Sequence, residues 1–153
     1  MYPMCNMSKN PMSLLLVMVQ GLSVIYIFLS GPVIIQNPLL IIFEIIALVL
    51  GGWAISVIIY KSKIHITPEV PTGAKLVASG PYAIIRHPMY SSLLLLTLVL
   101  IINLFTWQRL IFWVILLLDL MIKLTYEEQI LEKHFHEYKD YQKKTKKIIP
   151  RIY

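Results

Sequence analysis

Ser79-Gly80-Pro81-Tyr82-Ala83-Ile84-Ile85-Arg86-His87-Pro88-Met89-Tyr90 is the stretch on which the reading of this chain turns. It is polar, basic and rich in turn formers, yet one long apolar run (39–60) precedes it and another (91–102) follows. Polar groups beside lipid are costly unless they do something, so the chemistry is expected here. The surrounding chain has 153 residues, 58% hydrophobic and 14% charged, with mean hydropathy +0.71. A soluble domain of this length needs a polar exterior, which so few charges do not provide. The composition therefore predicts an all-α integral membrane protein, a single membrane domain over residues 1–153.

Four apolar stretches are expected to be membrane helices: 12–30, 39–60, 89–105 and 109–124. A span takes about 20 residues. The first two are long enough, while the last two are short and are joined by the polar link 103–108, which predicts a tight helical hairpin. The first stretch is long for the apolar part of a signal peptide, contains Gln20 and Gly21, and lacks a small-residue cleavage site, so it reads as a first transmembrane helix. With the N-terminus cytoplasmic, 13 of the 14 basic residues fall inside and only Arg109 outside. The excess of Lys and Arg on one side predicts a multi-pass protein with both termini, the 61–88 loop and the 125–153 tail in the cytoplasm. The membrane would be a bacterial inner membrane or the endoplasmic reticulum.

The net charge of +6 fits cytoplasmic loops and anionic headgroups better than nucleic acid, so membrane lipid is the expected partner. The one cysteine, Cys5, has no intrachain partner for a disulfide. No metal is expected: His134 and His136 are two apart and point to different sides of a helix, and no carboxylate–histidine spacing suits a ligand set. Glu44 and Asp119 lie within apolar helices, where acids are functional candidates by default. Asp119 is expected to hold Lys123 four residues on.

The loop 61–88 carries Pro68, Pro71, Gly73, Gly80, Pro81 and Pro88, too many breakers for a long helix. From Thr125 the chain turns polar and helical in pattern. At 100° per residue, Lys123, Glu127, Leu131, His134, Tyr138, Tyr141 and Thr145 fall within about 40° of one line. One helix face would thus carry a cation, a carboxylate, an imidazole and two phenols. Glu128 is expected in solvent, complementing the helix dipole.

Two motifs carry a family resemblance. Gly80-Pro81-Tyr82-x3-Arg86-His87-Pro88-x-Tyr90 is similar to the central motif of the isoprenylcysteine carboxyl methyltransferases and their membrane relatives, which include phospholipid methyltransferases. About 40 residues later, Glu127-Glu128-x2-Leu131-x3-Phe135-x2-Tyr138-x2-Tyr141, then Thr145-x-Lys147-x-Ile149-Pro150, resembles the second half of the signature. The resemblance covers residues 76–153, whereas the N-terminal half matches only as transmembrane helices.

The resemblance implies an enzyme that transfers a methyl group from S-adenosylmethionine to a lipophilic or lipid-anchored acceptor. An isoprenylcysteine-like carboxylate is the favoured acceptor, with a phospholipid amine or a small thiol as alternatives. It implies cofactor-binding roles for Lys75, Leu76, Val77, Tyr82, His87, Pro88, Met89, Tyr90 and Glu127, catalytic roles for Arg86 and Glu127, and substrate contacts for Arg86, Lys123 and Lys147. Tyr82 or Tyr90 would stack on adenine or face the sulfonium, and Arg86 would grip a carboxylate. Relatives often carry arginine near positions 123 and 147, where lysine keeps the charge and loses the bidentate geometry. A sterol-reductase-like enzyme binding NADPH through an Arg-His-x-x-Tyr segment is a further alternative. So is a non-catalytic membrane scaffold with a basic tail.

Overall fold

The computed structural model describes residues 11–61 and 76–150. Among these are five α-helices: α1 Pro11–Leu29, α2 Pro38–Lys61, α3 Pro88–Asn103, α4 Trp107–His134 and α5 Tyr138–Lys144. A 3-10 turn, Gly80–Ala83, precedes α3. The first two helices are long and apolar enough to cross a membrane. Their outer faces are bare hydrocarbon, with Leu22, Leu29, Leu39 and Val49 all more than half exposed, a surface that suits lipid and would be a liability in water.

α1 packs along α4, and α2 packs along α3. The buried stripe of α1 is Ser13, Leu16, Ser23 and Ile27, with half-buried Gln20 in the same heptad register. This polar seam meets α4: Tyr26 stacks on Phe112 at 3.9 Å between ring centroids, and Lys123 Nζ donates to Gln20 Oε1 at 2.9 Å. α2 reaches α3 through small residues. Ala47 and Ala54 are fully buried, Gly51 faces Ser92, and Ser92 Oγ donates to the Ala47 carbonyl at 2.7 Å. Close backbone approach through small side chains is how helices associate where lipid competes for apolar contact.

The expected hairpin is present, its link tightened to 104–106. Thr106 caps α4 by accepting from the Arg109 amide at 3.3 Å. Arg109, 1% exposed, donates to the Leu104 carbonyl at 2.9 Å and to the Ile27 carbonyl at 3.0 Å. One guanidinium thus satisfies carbonyls at the C-terminal ends of both α3 and α1, where the helix dipoles favour a cation. A side chain at Gly31 would overlap that guanidinium and press on Leu104 at 3.0 Å. Gly31→Ala should therefore lower stability by about 1–3 kcal/mol in thermal melts of the detergent-purified protein. Gly21→Ala, where nothing lies within 4 Å, should be neutral or slightly stabilising.

Two sequence expectations change. The fourth apolar stretch does not end at residue 124: α4 runs 28 residues without a break, about 42 Å at 1.5 Å per residue. No glycine or proline interrupts it, and the Thr125 hydroxyl folds back onto the Met121 carbonyl. Nor does one helix face run from Lys123 to Thr145. The helix stops at His134, Phe135 turns extended, and Tyr138 and Tyr141 belong to the separate α5.

Candidate active site

The site is assembled where the 79–90 stretch meets the C-terminal segment. Gly80 has φ +64°, and a Cβ added there would come within 3.1 Å of Val57 and 3.3 Å of Trp53 of α2. A left-handed backbone in that close a fit requires glycine. The turn then carries the chain to Ile84–His87, which pairs with 146–147 like a short parallel strand. The Arg86 amide donates to the Lys146 carbonyl at 2.7 Å, the His87 amide to the Lys147 carbonyl at 3.0 Å, and the Lys146 amide to the Ile84 carbonyl at 3.3 Å. His87 precedes α3, and Pro88 occupies its first turn, where no amide donor is needed.

Arg86 is spent on this junction. Its Nε donates to Glu128 Oε1 at 2.6 Å, and its Nη1 donates to the Thr145 carbonyl at 2.6 Å and the Gln142 carbonyl at 3.2 Å. Glu128 is 6% exposed, so it is a buried hub and not the solvated first-turn carboxylate expected from sequence. His87 Nε2 lies 3.4 Å and Lys147 Nζ 3.6 Å from it. Burial alone would raise the Glu128 carboxyl, but hydrogen bonds from His87 and Arg86 and their charges pull it down to about 2.

Glu127, one residue before it, is turned 100° away along α4. Its carboxylate accepts from the Tyr90 hydroxyl and lies 3.6 Å from His87 Nδ1, and its side chain stays 20% exposed. The His87 and Tyr90 rings stack at 5.4 Å. Lys123 Nζ stands 5.5 Å from the Tyr90 ring centroid. Tyr82 is buried, and its carbonyl accepts from Tyr141 at 2.6 Å. Burial raises the Tyr82 hydroxyl and lifts that of Tyr141 to about 12. Tyr138 is 1% exposed, and its hydroxyl has no hydrogen-bond partner among the described residues.

Tyr82, Arg86, His87, Pro88, Tyr90, Lys123, Glu127 and Lys147 are thus gathered into one cluster. Leu76 and Val77 are half-buried ahead of it, Met89 is 40% exposed, and Lys75 lies outside the described residues. His134 is exposed, its ring bonded to the Ile130 carbonyl of its own helix, away from the cluster. Lys123 bonds Gln20 and not Asp119 as expected. Glu44 is half-buried on α2 and takes no hydrogen bond among the described residues. Sequence reasoning missed Gln20 as a site neighbour and the unpartnered Tyr138 hydroxyl. A lone amide in the buried register of an apolar helix was the available signal for the first.

On the adjacent face of α3 an apolar groove of about 730 Å³ opens between α2, α3 and α4. Trp53, Leu95, Leu98, Trp113 and Met121 line its walls, and Ile148–Pro150 line one end. Ser91, next to Tyr90, borders the groove, and its hydroxyl is satisfied by the Ile148 carbonyl at 2.7 Å.

Two helices apolar enough to cross a membrane and a half-open polar cluster beside an apolar groove are what the described residues bring together. The family model described as phospholipid methyltransferase matches residues 39–138, well over half of the chain, and the chain belongs to that family of membrane methyltransferases. The sterol-reductase alternative draws no support from this match. No curated protein and no solved structure matches the chain.

Proposed function

We propose that this chain is a multi-pass membrane methyltransferase that moves a methyl group from S-adenosylmethionine to the amine headgroup of a membrane lipid. The single 1–153 domain would cross the bilayer with α1, α2 and the α3–α4 hairpin, with both termini and the cluster on the cytoplasmic side. The observation that carries this reading is the Glu127 carboxylate. It is part-open, held by Tyr90 and His87, and next to a groove fit for an acyl chain.

The donor set suits the cofactor. When bound, S-adenosylmethionine supplies a methyl group on a cationic sulfonium. Tyr90 and Tyr82 bring aromatic rings to the cluster, Glu127 can accept from hydroxyl or amino groups, and the Tyr138 hydroxyl is a buried donor without a hydrogen-bond partner among the described residues. Leu76, Val77, His87, Pro88 and Met89 would complete the cradle. An ammonium headgroup must lose a proton before its nitrogen can attack, and Glu127 is the carboxylate placed to take it. The rest is positioning and exclusion of water by the helix ends.

An isoprenylcysteine-like carboxylate is the second reading, favoured by the cations Lys123 and Lys147 near the cluster. It ranks lower because Arg86, the expected bidentate grip, holds Glu128 and the C-terminal segment.

Calorimetric titration of the detergent-purified protein with S-adenosylhomocysteine, with NADPH in parallel, tests the class. Binding of the former alone supports it, and binding of NADPH alone or of neither overturns it. Methyl incorporation into phosphatidylethanolamine vesicles against farnesylcysteine then separates the two acceptors. Leu95→Trp, which fills the groove, should raise KM for a long-chain lipid about tenfold or more while leaving S-adenosylhomocysteine binding unchanged, the signature of lost uniform binding.

A further inference from the structure

Lys123 has a carboxylate one turn behind it, Asp119, and another one turn ahead, Glu127. Spacing of this kind on a helix normally gives ion pairs, yet its ammonium makes neither at salt-bridge distance among the described residues. It donates instead to Gln20 Oε1 at 2.9 Å and faces the Tyr90 ring at 5.5 Å. Asp119 is left 4% exposed, with an Oδ2 that has no hydrogen-bond partner among the described residues. A buried carboxylate oxygen without a partner is expensive, and Lys123 folding back by one turn would relieve it. Something must hold the cation forward. Gln20 is the side chain that does so, and it sits on α1, outside the residues 39–138 that the family match covers.

We propose that Gln20 is a positioning residue of the cofactor site: it holds the Lys123 ammonium against the Tyr90 ring and off Asp119, and so fixes the Tyr90 hydroxyl on Glu127. The chain of contacts runs from α1 through α4 to α3 and back to α4: Gln20 to Lys123, Lys123 to Tyr90, Tyr90 to Glu127. Remove the amide and the cation is free to turn back to Asp119, whose Oδ2 has no hydrogen-bond partner among the described residues. The Tyr90 ring then loses the charge that pins its face. This inference rests on the reading of Tyr90 and Glu127 as cofactor-binding. It adds that α1 is part of the site and not only a membrane anchor.

The experiment is calorimetric titration of the full chain in detergent with S-adenosylhomocysteine, with melting temperatures recorded alongside. Gln20→Met, close in shape and without the acceptor, should bind about tenfold more weakly, a loss worth one power of ten in affinity. Gln20→Glu, which keeps an acceptor for Lys123, should bind within about twofold of the parent. Adding Asp119→Asn to Gln20→Met should recover most of the loss, because the rival for the ammonium is weakened. A purely structural Gln20 would lower the melting temperature without this pattern of rescue. Parent-like binding by Gln20→Met, or a loss that neither Gln20→Glu nor Asp119→Asn restores, would overturn the proposal. Failure of the parent protein to bind S-adenosylhomocysteine would instead bring down the methyltransferase reading on which it rests. Should Gln20→Met not fold, Lys123→Met, with and without Asp119→Asn, decides the same question. Weakened binding supports the forward cation, and unchanged binding removes it.

Discussion

Glu128→Ala is expected to destabilise the protein by about 3–5 kcal/mol, the usual cost of removing one partner from a buried ion pair. Glu128 is the anion on which Arg86, His87 and Lys147 converge. Without it the Arg86 guanidinium, itself only 8% exposed, loses its anion. The damage should spread, because Arg86 Nη1 also carries the carbonyls of Gln142 and Thr145. Proteolysis should therefore cut the 135–150 segment sooner in this variant than in the parent. Glu128→Leu combined with Arg86→Met should recover part of the stability, leaving the two carbonyls short of a donor. The pH dependence has a definite sign. The Glu128 carboxyl sits at about 2 in the fold against 4.5 as its ordinary value, so its contribution is complete above about pH 4.5 and is lost as the pH falls through 2. Melting temperatures of the parent should fall across that window, and the Glu128→Ala variant should show a shallower fall.

Apolar runs located α1, α2, α3 and the start of α4 because these segments are long and uniformly apolar, and the breakers Pro88 and 103–108 marked the hairpin, whereas the helical periodicity read over 123–145 ran across the break at Phe135. The two motif halves were legible as chemistry for the same reason: Arg, His, Glu and Tyr stand out against leucine and isoleucine. What could not be read was which way adjacent residues face. Glu127 and Glu128 differ by one 100° step, and the phase of α4 is set by contacts far off in the chain, Arg109 against Ile27 and Lys123 against Gln20. Likewise the pairing of 84–87 with 146–147 is made of backbone hydrogen bonds, which no side-chain pattern encodes. Arg86 looked like a ligand for an external anion because its internal anion lies 42 positions away.

Glu127→Gln should show the opposite profile to its neighbour: a folded protein that has lost its function. The substitution keeps the shape and an oxygen for the Tyr90 hydroxyl. The side chain is 20% exposed, and His87 Nδ1 at 3.6 Å is the ion-pairing group nearest to it among the described residues. Stability should therefore change by less than about 1 kcal/mol. Turnover should not survive. The amide cannot take a proton from an ammonium headgroup, a loss of about 10²–10⁴-fold where a general base is removed. It also cannot balance the positive charge of a sulfonium cofactor, so S-adenosylhomocysteine, which is neutral at sulfur, should lose less affinity than S-adenosylmethionine. That inequality distinguishes an electrostatic role at the reacting centre from a hydrogen bond to the ribose or amino group, which both ligands share. Equal losses for the two ligands would move Glu127 to the periphery of the cofactor, and the base would have to be sought elsewhere. Intact turnover would remove it from the site. Tyr90→Phe separates the two parts of the arrangement. It deletes the donor that holds Oε1 and leaves the carboxylate, so turnover should fall by about tenfold, the worth of one hydrogen bond to a charged group, while the Glu127→Gln defect is far larger because it removes the charge itself.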